Sequence, residues 1–397
     1  MISVDRVLRA MPIIDGHNDL PMQLRARTGY DVGGLTRRRP EFHTDIPRLR
    51  AGGVGAQFWS VYVPSDLPEP EAVVATMEQI DAVYRMTAAY PADLAMAYTA
   101  GDVERAIAAG KIASLIGIEG GHSLATSLGV LRSFARLGAR YVTLTHNNNT
   151  SWADSAVEPP EVGGLSDVGR AIVHEMQRIG VLVDLSHVAP VTMHAALDVS
   201  TAPVIFSHSS ARAITDHRRN VPDDVLVRLR DNGGVVQLTF VPYFVSDEVR
   251  AWAQAAAAES ARLGLPEETD AWPRAPRPGE DPLAAVAGFP PPAVRDPLAA
   301  WLAANPRPTA TVAQVADHVE HAREVAGVDH LGLGGDFDGT NTVPEGLEDV
   351  SGYPRLLQEL ADRGWSEPDL EKLTGRNVLR VMRATEEAAT EPLWPRC

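Results

Sequence analysis

The chain has 397 residues, of which 45% are hydrophobic and 22% charged, the balance of a globular fold with ample core. A formal net charge of -16 argues against nucleic acid as partner, because phosphate would be repelled. The single cysteine, Cys397, excludes an intramolecular disulfide and a thiolate metal site. No apolar run approaches the ~20 residues of a membrane span. Residues 1–11 carry interspersed charges and no apolar core of a leader. With a lone cysteine, this predicts a cytoplasmic protein with no membrane partner.

Short apolar, β-rich runs recur along the chain. The first, Ile13 to Asp19, starts apolar and ends in a polar cluster. Runs at 55–63, 112–119, 141–146, 181–187, 204–208, 235–240 and 330–336 follow. Their composition suits strands buried on both faces. Helical spacing fills segments between them: 71–87, 124–137 ending at Gly138, 166–179 starting on a Ser cap, 222–230, and 311–325 before Gly327. Eight strand candidates alternating with helices predict a (β/α)8 TIM-like barrel, with a doubly wound open sheet as the alternative. The chain exceeds the ~250 residues typical of such a barrel. The excess lies at 251–308, Ala- and Pro-rich and holding Trp252, Trp272, Phe289 and Trp301. It reads as a helical and loop insertion before the last strand, packed near the barrel mouth, within one domain spanning 1–397. That many large apolar groups argue against a disordered linker.

The chemistry of such a barrel lies at the C-terminal ends of its strands. The first run ends in His17 and Asp19, and the third in Glu119. His146, His187 and His208 end the fourth, fifth and sixth runs, and Asp336 ends the eighth. Taken singly, each has an ordinary reading: a capped turn for Asp15 or Asp19, a core histidine for His146, helix caps for His187 and His208. Asp336 and Asp338 could shape a turn or bind calcium. Four of the 12 histidines at strand ends are more economically read as one site. Strand alternation points His17 and Asp19 the same way. Imidazole and carboxylate without thiolate suit zinc, or manganese, cobalt or iron in its place. The donors suffice for two cations, with Glu119 as bridge, a shared hydroxide between them, and Asp336 as proton shuttle. Arg218 and Arg219 place a carboxylate-binding fork beside this site in an acidic chain, or else form a surface basic pair.

These stretches together resemble the renal (membrane) dipeptidase family of the amidohydrolase superfamily, its soluble bacterial branch in particular. The matching residues are Asp15-Gly16-His17-Asn18-Asp19, Gln57 to Tyr62, Gly117 to His122, Leu144 to Asn147, Asp184 to His187, Phe206 to Ser210, Arg218 to Asn220, and Gly334 to Gly339. The resemblance implies a distorted barrel and two Zn2+ ions. His17 and Asp19 would hold one, His187 and His208 the other, with Glu119 and a hydroxide bridging. It implies that His146 polarises the scissile carbonyl, Arg219 grips the substrate carboxylate, and Asp336 is the general acid and base. It implies a small dipeptide substrate, tolerance of a C-terminal D-residue, and a homodimer. The region 251–308 does not align with the family. Tyr62, His122 and Tyr243 read as structural. Cyclic amide or β-lactam hydrolysis is the alternative reaction, and a non-catalytic ligand-binding barrel the alternative class.

Overall fold

The computed structural model describes residues 2–264 and 292–393, and of 292–296 the backbone alone. Nine parallel strands form one sheet: β1 (Ile13–Asn18), β2 (Val54–Tyr62), β3 (Leu94–Met96), β4 (Ile112–Glu119), β5 (Ala139–Thr143), β6 (Leu182–Asp184), β7 (Ile205–Phe206), β8 (Val235–Leu238) and β9 (Leu331–Leu333). The order β2-β1-β9-β8-β7-β6-β5-β4 closes through pairing of β2 with β4, which makes the expected eight-stranded barrel and excludes the open sheet. The ninth strand, β3, is an addition. It pairs with the first half of β4, at Ile112 to Ser114, while β5 pairs with the second half, at Ile116 to Ile118.

Period-two alternation sorts the side chains into two layers. Ile13, Trp59, Val61, Ile116, Ile118 and Val142 join the core between barrel and helices. Ile14, Phe58, Leu115, Tyr141, Leu182 and Ile205 belong to a separate cluster with Leu379 and Met382 of the last helix, Asn377–Ala388. Inside the barrel, glycine makes room for large neighbours. A Cβ at Gly16 would overlap the Gln237 amide, and one at Gly117 would overlap the Tyr141 ring.

The five expected helices appear near their expected bounds, at Glu69–Ala89, Leu128–Arg136, Asp167–Arg178, Asp223–Asn232 and Val312–Ala326. Ser166 and Thr311 cap two of them, accepting from the amides of Gly169 and Gln314. Between β8 and β9 the chain forms helices at Asp247–Arg262 and Pro292–Ala304, where the Trp252 and Trp301 rings lie 6.3 Å apart. Trp272 and Phe289 lie outside the described residues, as does Cys397.

The later strands are shorter than expected. The run at 181–187 keeps only three paired residues and that at 204–208 only two. The cause is Asp184, whose carboxylate accepts from the amides of Ser186 (3.1 Å) and Ser207 (2.8 Å). Side-chain acceptors replace ladder partners, and the chain turns off the sheet carrying its histidines inward.

Candidate metal centre

At the top of β1 two aspartates divide the work. Asp15 accepts from the His17 amide (3.0 Å), the Gly335 amide (3.1 Å) and the Tyr353 hydroxyl (2.5 Å), tying β1 to the loop after β9. Burial pushes its pKa up to about 6 against those three donors. Asp19 stands at the N-cap position of helix Leu20–Thr28 but makes no capping bond, and its Oδ1 is buried without a hydrogen-bond partner. The local Asx turn is therefore Asp15's, and Asp19 is left for another partner. Its Oδ2 lies 3.3 Å from His17 Nε2. The two do meet as expected, although Asp19 lies past the strand end, at the N-cap of the next helix.

Glu119, the last residue of β4, is the middle of the cluster. Its Oε2 faces His17 Nε2 at 3.5 Å and accepts from Ser60 Oγ at 3.1 Å. Its Oε1 faces His187 Nε2 at 3.0 Å, His208 Nε2 at 3.5 Å and His146 Nε2 at 3.8 Å. His187 and His208 bring their Nε2 atoms within 2.9 Å of each other. Neither imidazole stands at its strand end as expected. His187 sits three residues past β6 with φ +69, held by its carbonyl accepting from the Ala156 amide at 2.7 Å. His208 sits two residues past β7.

The far nitrogen of each ring settles the tautomer. Ser207 Oγ donates to Asp184 (2.6 Å), so it accepts from His208 Nδ1 (2.9 Å). Asn147 Oδ1 is an acceptor and takes the proton of His187 Nδ1 (3.2 Å). Tyr141 donates to the Gly16 carbonyl (3.3 Å) and accepts from His17 Nδ1 (2.9 Å). All three Nε2 atoms then present lone pairs toward Glu119. His146 differs: its Nδ1 is buried without a hydrogen-bond partner. Its ring lies 4.4 Å from His187 and 4.6 Å from Tyr62.

Asp336 closes the cluster from the loop after β9. Its backbone is left-handed (φ +59), and its amide donates to the His17 carbonyl. Asp338 (φ +66) has the structural part, accepting from the His43 amide at 2.7 Å. Gly339 stands against the site, where a Cβ would overlap both Asp336 Oδ1 and Asp19 Oδ2. Of the two arginines, Arg218 turns away to the Val157 carbonyl (2.7 Å), while Arg219 is buried with its guanidinium 5.3 Å over the Phe244 ring. The His217 Nδ1 accepts from the Arg219 amide (3.2 Å), and Asn220 ties the same loop to the Thr215 and Phe244 carbonyls. His122 bonds to the Val63 carbonyl at 2.9 Å, and Tyr243 packs edge-on against His217.

The electrostatics fit a cation. Burial pushes Asp336 well above the carboxylate range, with Asp19 and Glu119 adding to the rise. Burial raises Glu119 too. Burial, then the Arg219 charge, holds His187 well below the imidazole range; burial also depresses His208, with His17 next, and His146, with His122 next. His17 is the exception: burial pulls it down, but Tyr141, Glu119 and Asp19 outweigh burial and hold it well up. Three buried carboxylates thus crowd around a single imidazole drawn toward its charged form, His17, while the other three imidazoles are neutral, and His17 Nε2 and Asp19 Oδ1 lack hydrogen-bond partners. Burying one unpaired charge costs several kcal/mol, so this set calls for positive charge in its midst. Three overlapping donor groups can hold a metal ion: His17, Glu119 and His208; Glu119, His146 and His187; and His17, Asp19 and Asp336. In each, the donor atoms lie within 4.8 Å of one another.

A parallel (β/α)8 barrel with imidazole and carboxylate donors gathered at its C-terminal mouth is the architecture of a metal-dependent enzyme. The sequence matches the membrane dipeptidase family, peptidase family M19, over residues 1–395, and the chain belongs to that family. It is a metal-dependent peptide hydrolase, a dipeptidase. An uncharacterized dipeptidase of Schizosaccharomyces pombe is 42% identical over 396 residues, covering 96% of this chain and 82% of that one. Two solved structures share the fold at 24% identity. The probable dipeptidase PvdM of Pseudomonas aeruginosa superposes with TM-score 0.80 over 97% of this chain and 98% of its own. A metallopeptidase of Rhodobacter sphaeroides, liganded with a phosphinate mimic of L-Ala-D-Ala, does so with TM-score 0.74 over 94% and 99%. No helix among the described residues is long and apolar enough to cross a membrane.

Proposed function

We propose that the chain is a binuclear zinc dipeptidase that accepts dipeptides with an L- or D-residue at the C-terminal position. The observation that carries the reading is Glu119, whose two oxygens face different donor sets: Oε2 meets His17, and Oε1 meets His187 and His208. His17 and Asp19 would hold one ion and His187 and His208 the other, with Glu119 between. Two dications also suit three clustered carboxylates, Asp19, Glu119 and Asp336. Zinc there supplies a nucleophilic water at neutral pH and polarises the scissile carbonyl.

The protein's own groups do the rest. Asp336, buried and with its pKa raised, takes the proton of the attacking water and passes it to the departing amine. His146 is neutral and not fixed in its tautomer by any Nδ1 partner, so it can turn an N–H toward the carbonyl oxygen as charge develops there. Arg219 binds the substrate carboxylate through its guanidinium fork, which limits length to two residues. The phosphinate mimic of L-Ala-D-Ala bound by the Rhodobacter sphaeroides protein is in line with acceptance of a D-residue. We further propose one working domain over 1–397, with 251–308 beside the mouth, since the chain enters that region from the C-terminal end of β8. A single cysteine fits a cytoplasmic setting. A homodimer is proposed on the family resemblance, and sedimentation would test it.

The test is hydrolysis of an L-L and L-D dipeptide panel by zinc-loaded protein, with Asp336→Asn as control. Cleavage should depend on Asp336 and fail on amidated substrates that lack the carboxylate. No turnover of any member with two zinc ions bound would overturn the reading in favour of cyclic amide or lactam hydrolysis.

A further inference from the structure

We propose that Tyr141 is a positioning residue for the metal-binding face of His17, an assignment that rests on the binuclear reading above. His187 and His208 have their Nδ1 atoms held by polar groups at the barrel mouth, Asn147 and Ser207. His17 has no such neighbour. Its Nδ1 is met at 2.9 Å by a phenol that comes from β5, across the barrel interior. The barrel makes space for this. Gly117 on β4 lies beneath the ring, and any Cβ there would overlap it, while the Phe58 ring supports it from 5.3 Å.

The direction of the bond follows from the second partner. Tyr141 donates its only proton to the Gly16 carbonyl, one residue before His17, at 3.3 Å. It can therefore only accept from His17, so Nδ1 carries the proton and Nε2 turns its lone pair to Asp19 and Glu119. The one hydroxyl thus fixes both tautomer and ring angle, and Tyr141 is itself fully buried. Without it, a buried Nδ1–H has no acceptor, and the ring gains a reason to rotate or to exchange tautomer.

The experiment compares wild type with Tyr141→Phe, which removes one oxygen and keeps the ring. Metal-stripped full-length protein is titrated with zinc against a chromophoric chelator, and urea unfolding of the metal-free forms is measured in parallel. Expected is two zinc sites in wild type and, in the variant, a tenfold to about hundredfold loss of affinity at one site only, the range for partners that orient a metal-ligating histidine. Two unchanged affinities would overturn the inference. So would an equal loss at both sites that tracks lower metal-free stability, because that is a packing effect. A wild type that binds no zinc would overturn the proposed function itself, and this inference with it. Should the variant not fold, imidazole 15N spectra of zinc-loaded wild type decide: a protonated Nδ1 on His17 supports the assignment, and a metal-bound Nδ1 refutes it.

Discussion

Acid should loosen the protein through a histidine outside the metal centre. His318 is fully buried on helix Val312–Ala326, where its Nδ1 accepts from the Ala211 amide at 3.1 Å and its Nε2 meets Thr215 Oγ1 at 3.4 Å. Burial pushes its pKa down from 6.5 to about 4. Between those values the unfolded chain binds a proton that the folded chain refuses, so stability rises with pH through the window and is lost as pH falls from 6.5 toward 4. At about 1.4 kcal/mol per pKa unit, the full effect is roughly 3 kcal/mol, of which about 2 is lost by pH 5. The assay is urea unfolding of wild type and His318→Asn at pH 7 and pH 5; the amide keeps an acceptor near Nδ1 but does not titrate. The metal-site histidines are common to both proteins and cancel in the difference. Wild type should be the more stable at pH 7, and its advantage should shrink by about 2 kcal/mol at pH 5. An advantage that is the same at both pH values would refute a depressed His318. The consequence for function is direct, because the loop that His318 holds at Ala211 and Thr215 continues into Arg219.

Gly339→Ala should lower kcat/KM by at least about a hundredfold, since its Cβ displaces both Asp336 and Asp19 and misplacement of about 1 Å costs that much; near-normal turnover would show that the carboxylates have room to yield. Arg219→Ala should lower kcat/KM for free dipeptides by about a hundredfold or more, as expected for loss of a charge-assisted fork. Arg218→Ala, which removes only a bond to the Val157 carbonyl, should change it less than about threefold. Equal effects of the two arginines would contradict the different directions they face. Chelation should lower the melting temperature and zinc should restore it, each occupied site adding up to about 4 kcal/mol of stability at a thousandfold excess over Kd; a melt indifferent to chelator would remove metal from the account of this site.

Much of this was readable in the sequence, and what was not has physical causes. The barrel followed from strand-like runs buried on both faces, which need no tertiary information. β3 escaped because three residues, Leu94 to Met96, carry no alternation. Helix Ala100–Ala108 was passed over although Thr99 and Asp102 form a capping box at its start. The candidate donors were found because histidines at the ends of apolar runs are rare enough to stand out. Their supporting groups were not. Tyr141 reads as one more aromatic in a strand, and only the fold brings it to His17, 124 positions away. Asp15 and Asp19 have equal standing in Asp-Gly-His-Asn-Asp, and hydrogen bonding alone tells the structural one from the free one. The arginine pair is the same case, since direction and burial separate Arg219 from Arg218.

The two sides of Glu119 are not equivalent, and that difference bears on how a dipeptide lies. On the Oε2 side His17 is joined by two carboxylates, Asp19 and Asp336, and its pKa is held up. On the Oε1 side there are three depressed imidazoles, and Arg219 is among the causes of each depression. A zwitterionic dipeptide meets a field with its negative pole over one donor set and its positive pole over the other. On the proposed reading its carboxylate would go to the Arg219 side, where the imidazoles add no opposing charge, and its ammonium toward Asp19 and Asp336. Reversing the substrate would put carboxylate against carboxylate at a few ångströms in a buried site, which costs several kcal/mol. If Arg219 takes the substrate carboxylate as proposed, orientation would be set as much by repulsion from the aspartates as by that contact, and a variant that neutralises Asp19 should lose discrimination against reversed ligands as well as metal.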